Sequence, residues 1–198
     1  RSGFVINQLS GGGCEHMGNF PTFPVKGKLK MSPDNILNYR INISEEKGHA
    51  GYYEAKVQED IHAKLTVTER TGMASYEYPA DQQYGTVIIG GGISATPIEQ
   101  AAIVITAPNK CEGYAEGGNF CGLRTPYKVY FVAEFDTDAL ESGTWKRDEL
   151  KPNTTFAEGE YSGVYFTFDV NKKKNIQYKI GVSYVSVENA RENLKTEN

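Results

Sequence analysis

The segment YKVYFVAEFD, from Tyr127 to Asp136, is typical of a β-strand. Tyrosine, valine and phenylalanine suit a half-buried pleated surface, and polar and apolar side chains alternate along such a strand. Glu134 and Asp136 are two residues apart, so they project from the same face. They predict either a polar rim or part of a sugar-binding edge.

Similar segments recur along the chain, separated by clusters of glycine, proline and asparagine at the spacing of hairpin turns. They predict eight or more strands, and the missing alternation of strands with helices argues against a parallel sheet. The fold class that follows is all-β, a two-sheet antiparallel β-sandwich with a short C-terminal helix. The other predicted strands are Ile36–Ile43, Tyr52–Val57, Ala63–Arg70, Gly85–Gly92, Ala101–Ala107, Tyr161–Val170 and Ile176–Ser186.

Two charged features lie at the ends of predicted strands. The run NKKKN, from Asn171 to Asn175, is bounded by strands and predicts a solvated hairpin turn. Glu69 and Arg70 are neighbours on a strand, where adjacent side chains face opposite sides. One of the two should point to the interior and be paired there, unless they form an ion pair that faces solvent at the strand end.

The composition limits the classes of partner. The chain has 198 residues, a formal charge of −4 and 39% apolar residues. Nucleic-acid binding needs a basic surface that displaces counterions from phosphates, so the sequence predicts no nucleic-acid partner. No apolar run approaches the roughly 20 residues that span a bilayer, so no membrane span is predicted. Because the chain starts at Arg1 without a methionine or a signal segment, we expect an excised or processed piece of a longer protein.

The tail SVENARENLKTEN, from Ser186 to Asn198, is the one stretch that predicts a helix. Ser186 is a candidate N-cap, with Asn189 instead of glutamate at the capping-box position. Glu188 lies in the first turn, where a carboxylate interacts favourably with the helix dipole. The helix follows the last strand, as an exit from a domain would.

The glycine-rich stretch GFVINQLSGGGCEHMGNFPTFP runs from Gly3 to Pro24. A phosphate-binding loop would need a following helix and a lysine, which this stretch lacks. A nucleophilic Cys14 would need a base and an orienting group. His16 is only two residues away, and residues so close in sequence seldom form a catalytic pair. The scattered histidines also lack the close spacing of zinc ligands, so the sequence predicts no metal site.

Several segments, taken in order, resemble the N-terminal domain of glycoside hydrolase family 92, the calcium-dependent exo-acting α-mannosidases. They are collinear and span most of the chain, and their order is a stronger signal than any single motif. The matching segments are LSGGGC and GNFPTFP within Gly3–Pro24, SEEKGHAGYYEAKV (Ser44–Val57), KLTVTERTGMASYEYP (Lys64–Pro79), GGNFCG with YKVYFVAEFD (Gly117–Asp136) and KIGVSYVSVENARENL (Lys179–Leu194).

The resemblance implies a division of labour between two domains. Residues 1–186 would form the sandwich, truncated at its start, and residues 187–198 would begin a helical linker to an (α/α)6 catalytic barrel of the same polypeptide. In this family a glutamic acid and an aspartate of the barrel carry out an inverting reaction, and calcium is bound there. The resemblance therefore implies no catalytic residue and no cofactor in this chain, calcium in the full-length enzyme, and a mannose-containing glycan, such as an N-glycan, as the substrate.

The resemblance also implies that the sandwich lends loops to the mouth of the active site. Glycines let the backbone approach a ligand closely, and polar side chains nearby could hydrogen-bond sugar hydroxyls. The alternative is a tight turn that is rich in glycine for steric reasons. Many members carry a histidine after GF, whereas this chain has VINQ (Val5–Gln8), which leaves linkage specificity open. The predicted substrate-binding residues are Gly12, Gly13, Glu15, His16 and Asn19.

The three cysteines permit one disulfide with one thiol left over, or three free thiols. Cys14 and Cys121 flank glycine-rich turns in the family-like segments and form one candidate pair. Cys111 and Cys121 bracket a hairpin-like loop and form the rival pair. We expect a secreted or cell-surface protein of a bacterium, with a cytoplasmic location as the alternative. A free-standing carbohydrate-binding or structural sandwich is the alternative function.

Overall fold

A computed structural model describes residues 3–8, 13–34 and 42–197. Within these residues the chain forms strands β1 to β14 and one helix, α1, at Val187–Glu197. The strands are β1 (Thr22–Lys26), β2 (Ile43–His49), β3 (Tyr52–Val57), β4 (Ile61–Val67), β5 (Thr71–Glu77), β6 (Tyr84–Gly90), β7 (Ile98–Ala107), β8 (Lys110–Phe120), β9 (Leu123–Phe135), β10 (Glu141–Lys146), β11 (Glu149–Pro152), β12 (Phe156–Glu158), β13 (Ser162–Asp169) and β14 (Asn175–Ser183).

The strands form two antiparallel sheets of five and nine strands. The smaller sheet has the order β1-β6-β13-β10-β11, and the larger sheet has the order β12-β7-β8-β9-β14-β5-β4-β3-β2. The register brings buried residues together, with Ile89 of β6 opposite Val164 of β13 and Ala133 of β9 opposite Ile180 of β14. The two-sheet antiparallel β-sandwich that the sequence predicts is confirmed.

Aromatic side chains dominate the core. Phe131 and Phe135 project from the same face of β9, since successive side chains of a strand alternate between faces. The ring of Phe131 lies 4.2 Å from that of Phe20, and the ring of Phe135 lies 4.9 Å from that of Phe166, measured between centroids. All four are buried. Full burial of such a side chain contributes about 1.5–3 kcal/mol relative to exposure.

Most predicted strands coincide with observed ones. The prediction Tyr52–Val57 matches the bounds of β3, whereas Ile36–Ile43 falls largely outside the described residues. Strands such as β8 and β10 were missed as separate elements because their glycines and charged residues blur the alternation. Pairing within the sheet outweighs that weak local preference, as is usual for strands.

The lysine-rich turn Asn171–Asn175 joins strands of different sheets. It leads from β13 of the smaller sheet to β14 of the larger one, so it is an arch and the prediction of a hairpin is wrong. Sequential strands are neighbours in only about two-thirds of cases, and alternation does not reveal the exceptions. The predicted solvation holds, since Lys172 and Lys173 are exposed or half-buried and pair with Asp169 and Asp136.

The charged pair Glu69 and Arg70 lies in the turn between β4 and β5, where both side chains are exposed. The prediction that one of them points to the interior is therefore wrong, because β4 ends before they are reached. Arg70 forms an ion pair that faces solvent, but its partner is Glu197 of α1, with Nε 2.6 Å from Oε1. Glu134 is half-buried on the outer face of β9 and pairs with Lys110.

Helix α1 packs on the outer face of the nine-stranded sheet. Ala190 and Leu194 are buried against Val132 of β9. Gly181 of β14 permits this approach, because a Cβ atom there would lie 2.5 Å from the carbonyl oxygen of Ala190. The helix is therefore bound to the sandwich along much of its length.

The predicted N-cap of α1 is confirmed. Ser186 Oγ accepts a hydrogen bond from the backbone N–H of Asn189 at 3.1 Å. In the part of the chain that the structure describes, no helix has the length and apolar character needed to cross a membrane. The division into a sandwich and a linker to a barrel stays a prediction.

Candidate functional site at one end of the sandwich

One end of the sandwich collects several connections, and we call it the loop end. β8 and β9 meet there in a hairpin, where Phe120 pairs with Leu123. β6 ends there at Gly90, and residues 91–97 lead to β7 of the other sheet. β14 also ends there, at Ser183, just before α1 begins. The loop end thus joins both sheets to the start of the helix.

The described part of the glycine-rich stretch lies at the loop end. We call these residues, Gly13–Phe20, the opening loop. The backbone N–H of Ala95 donates to the carbonyl oxygen of Met17 at 2.8 Å. Met17 and Phe20 have positive φ angles of 60° and 55°. Side chains other than glycine populate this region rarely, so surrounding contacts must hold the loop in place.

A disulfide attaches the opening loop to the β8–β9 hairpin. Cys14 is bonded to Cys121, with Cα atoms 5.4 Å apart. The first candidate pair is therefore confirmed and the rival pair of Cys111 with Cys121 is wrong. Cys111 is a free thiol in the core. Burial raises its pKa far above the usual range, which keeps the thiol protonated and unreactive.

His16 is turned toward the interior. Its ring lies edge-on to Phe120 and Tyr127, with both centroids 5.4 Å away, and only 7% of the residue is exposed. Nδ1 has no hydrogen-bond partner among the described groups. A sugar could contact this imidazole only if the loop moved, so in this conformation His16 packs the loop.

Asn19, near the end of the opening loop, is completely buried. Its Oδ1 accepts hydrogen bonds from the hydroxyl of Tyr127 at 3.0 Å and from Nδ2 of Asn7 at 3.1 Å. Its backbone N–H donates to Oδ1 of Asn7 at 2.9 Å. The two asparagines and the tyrosine therefore form a small, partly buried polar cluster.

Glu15 and Gly13 lie on the outside of the opening loop and are exposed. Glu15 lines a cavity of about 230 Å³, together with Gln8 of the N-terminal segment and Ser94 of the 91–97 connection. Gly12 falls outside the described residues. Of the predicted substrate-binding side chains that are described, Glu15 is thus the one displayed toward open space.

The residues that support the loop carry little signal in the sequence. Tyr127 gave no signal beyond its place in a strand, and Asn7 stood out only as a departure from the expected pattern. Tyr184 also belongs to this end, because its hydroxyl donates to Met17 Sδ at 3.3 Å. Tyr184, Val185 and Leu123 expose large apolar side chains here, with 51%, 72% and 71% of each residue accessible. The loop end therefore combines polar and apolar contact surface.

The comparison with known families is decisive. The model of the glycosyl hydrolase family 92 N-terminal domain matches residues 1–183. The chain belongs to this family. The predicted family is therefore confirmed. No curated protein matches the sequence.

Solved structures show the same fold as this family 92 domain. The family 92 α-mannosidase BT3965 from Bacteroides thetaiotaomicron superposes with a TM-score of 0.83 at 23% identity, over 98% of this chain and 28% of that one. The family 92 glycosyl hydrolase ccman5 gives a TM-score of 0.81 at 21% identity, over 96% and 27%. The inverting mannosidase BT2199 from Bacteroides thetaiotaomicron VPI-5482 gives 0.75 at 23% identity, over 90% and 23%.

The family 92 domain accounts for about a quarter of the length of these solved chains. The TM-scores establish a shared fold, and because the identities are low they establish nothing more; a fold by itself does not fix a function.

The family 92 domain offers no fit for a calcium ion in its described residues. No group of three or more histidine, cysteine, aspartate or glutamate side chains is arranged there to hold a metal. Calcium needs six to eight oxygen ligands, several of them usually carboxylates. No step of chemistry in this domain is therefore assigned to a metal.

Proposed function

We propose that this domain is the non-catalytic N-terminal part of a longer, calcium-dependent inverting exo-α-mannosidase, α-1,2-mannosidase-like, that acts on mannose-containing glycans. In that role the opening loop forms part of the wall of the substrate site. The observation that carries the proposal is the opening loop itself, which is held in a strained conformation by a disulfide and displays Glu15 at the rim of a cavity. The family membership supplies the reaction class.

The described residues suit binding better than bond cleavage. An inverting glycosidase needs an acid and a base roughly 6.5–9.5 Å apart, on opposite sides of the scissile bond. Among the described residues that line the loop-end cavity, Glu15 is the one carboxylate. A single carboxylate can accept hydrogen bonds from sugar hydroxyls, and the exposed backbone at Gly13 leaves room for a close approach. The acid, the base and the calcium site would belong to an (α/α)6 barrel of the same polypeptide.

The location proposed is the surface or exterior of a bacterial cell. The disulfide between Cys14 and Cys121 supports an oxidising compartment, because such bonds rarely persist in a reducing cytosol. N-glycans of a host or of the surroundings would be accessible there. Alkylation of the protein as isolated from intact cells, followed by mass measurement, tests this location. Recovery of Cys14 and Cys121 as reduced thiols would contradict it.

Activity measurements test the proposed function. The chain alone should not hydrolyse aryl or disaccharide α-mannosides, because half a pocket cannot enclose a sugar. The full-length gene product should release mannose and should lose activity on chelation of calcium. In that protein, Glu15→Ala should raise KM by about tenfold, the effect of one lost charge-assisted hydrogen bond.

The matched control is Glu77→Ala, which removes an exposed carboxylate at the opposite end of the sandwich. It should leave KM and kcat unchanged. If Glu15→Ala behaves like this control, the opening loop is only a turn. If the chain alone cleaves mannosides, the division of labour proposed here is wrong.

A second candidate function is carbohydrate binding by the domain alone. A groove of about 730 Å³ beside β2, β3 and β4 favours it, because aromatic residues and a carboxylate line it together. Tyr53 donates to Glu46 at 2.7 Å, and His49 stacks on Tyr52 with ring centroids 5.4 Å apart. Such a mixture suits a ligand with an apolar face and hydroxyl edges. Titration calorimetry of the chain with mannobiose tests it, and binding that survives Tyr52→Ala would exclude this groove.

A further inference from the structure

We infer that Asn19 is a positioning residue, which together with Asn7 and Tyr127 fixes the opening loop so that Glu15 is presented to the loop-end cavity. The effect on substrate binding follows only if the proposed function is right. The positioning itself is a property of this chain and can be measured without a sugar. No contact between Asn19 and a substrate is involved.

The hydrogen bonds of Asn19 join three separate parts of the chain. Asn7 lies in the N-terminal segment, Asn19 in the opening loop and Tyr127 near the start of β9. Asn19 uses both its backbone N–H and its Oδ1, over distances of 2.9 to 3.1 Å. Because Asn19 is completely buried, a hydrogen bond that its Oδ1 or its backbone N–H loses is not readily replaced by water and is costly to leave unmade. The cluster of Asn7, Asn19 and Tyr127 therefore raises the free energy needed to open the loop locally, and we call it the latch.

The backbone around Asn19 needs such a latch. Met17 and Phe20 flank it with positive φ angles, and Gly18 has a φ of 75°. A chain in these conformations relaxes to ordinary ones unless its surroundings over-determine it. The disulfide at Cys14 holds the loop on one side of Glu15, and the Asn19 cluster holds it on the other side. Glu15 is thus displayed between two fixed points.

Tyr184 gives the latch a second connection. Its hydroxyl lies 3.5 Å from Nδ2 of Asn7 and donates to Met17 Sδ at 3.3 Å. Tyr184 directly follows β14 and precedes the capping residue of α1. Tyr184 therefore connects the opening loop to the segment just before the helix, in addition to the strands that the loop packs on.

Hydrogen exchange in this chain tests the latch. Tyr127→Phe deletes one hydroxyl without changing the ring that packs on His16, and Asn19→Ala deletes the acceptor. Tyr127→Phe should speed amide exchange in the segment from Cys14 to Phe20 by about fivefold to tenfold, the expected effect of one lost hydrogen bond on local opening. Asn19→Ala removes the acceptor of two hydrogen bonds and should speed this exchange more. Exchange in β6 and β13 should stay unchanged. The matched control is Tyr130→Phe, which deletes a hydroxyl from the same strand on the outer face.

The double variant distinguishes local opening of the loop from destabilisation of the whole domain. Because both groups act in one hydrogen bond, Asn19→Ala combined with Tyr127→Phe should speed loop exchange by no more than Asn19→Ala alone. Multiplied effects, or faster exchange in every strand, would overturn the inference and assign Asn19 a purely structural role. Should Asn19→Ala fail to fold, loop exchange in Tyr127→Phe equal to that in the Tyr130→Phe control would overturn it as well.

Kinetics of the full-length gene product distinguish this inference from the proposed function. Tyr127→Phe should raise KM by about threefold to tenfold with kcat little changed, as expected when a wall of the binding site is loosened. If Glu15→Ala raises KM but Tyr127→Phe does not, the positioning role is overturned and the proposed function stands. If Tyr127→Phe speeds amide exchange in the loop but Glu15→Ala leaves KM unchanged, the proposed function is contradicted and the latch stands.

Discussion

At the scale of single residues, the smaller sheet depends on a glycine that leaves room for the tryptophan. A Cβ atom on Gly163 would lie 2.2 Å from Cη2 of Trp145 and 2.5 Å from the carbonyl oxygen of Ile89. Gly163→Ala should therefore lower the free energy of unfolding by about 1–3 kcal/mol, the usual cost of overpacking a core. Urea denaturation measures it. Gly48→Ala, on the exposed edge strand β2, is the control and should cost less than Gly163→Ala; equal losses would contradict the steric account.

A second residue-scale prediction concerns Tyr53. Partial burial, and then its hydrogen bond to Glu46, raise its pKa from 10 to about 12. Since the folded pKa exceeds the unfolded one, this contribution to stability is complete below pH 10 and is lost as the pH rises through about 12. Tyr53→Phe should remove tyrosinate absorbance from the range near pH 12. Loss of absorbance near pH 10 instead would show that the hydroxyl is unperturbed.

At the scale of elements, the C-terminal end of α1 is held by a carboxylate whose charge is unfavourable at that end of a helix. Glu197 lies at the C-terminus of the helix, where the dipole disfavours a negative charge. It accepts hydrogen bonds from the Thr68 hydroxyl and from the backbone N–H and the side chain of Arg70. These partners, the Thr68 hydroxyl first, lower the pKa of Glu197. The β4–β5 turn thus fastens the helix to the sheet.

Loss of this carboxylate should release the end of the helix. A lowered folded pKa means that the stabilisation is present above the unfolded value of 4.5 and is lost as the pH falls through the folded value. Glu197→Ala should therefore lower the protection of amides against exchange in the last turn of α1 at pH 7, and the wild type should lose the same protection in acid when each rate is divided by the intrinsic rate at that pH. Glu192→Ala on the same helix is the control. Slow exchange in both variants would show that Ala190 and Leu194 suffice to hold the helix.

At the scale of the whole molecule, the disulfide joins residues that are 107 positions apart in the sequence. A bond that closes so long a loop restricts the unfolded chain strongly. Replacing Cys14 and Cys121 by serine should lower the free energy of unfolding by about 2–5 kcal/mol, measured by denaturant titration. Reduction of the wild-type protein breaks the same bond without a substitution and should give a similar loss. A loss far below about 2 kcal/mol would mean that the disulfide contributes little to global stability.

The class of fold and the family could both be predicted from the sequence. Alternation in segments such as Tyr127–Asp136 is typical of a strand with one face buried against another layer, which is how a sandwich packs. The helix at Val187–Glu197 was equally predictable, because its cap and first turn are local features. The collinear order of weak motifs was enough for the family, since order along a chain survives where single residues diverge.

The tertiary structure alone decided which distant parts meet. No local pattern distinguishes the arch at Asn171–Asn175 from a hairpin, or the pairing of Cys14 with Cys121 from its rival, because both depend on the order of strands across two sheets. The same holds for the candidate site. Its residue types were legible in the sequence, but the inward turn of His16 and Asn19 follows from contacts with Tyr127, which is more than a hundred residues away. Side-chain direction in a loop is set by what the fold brings beneath it, and that is long-range information.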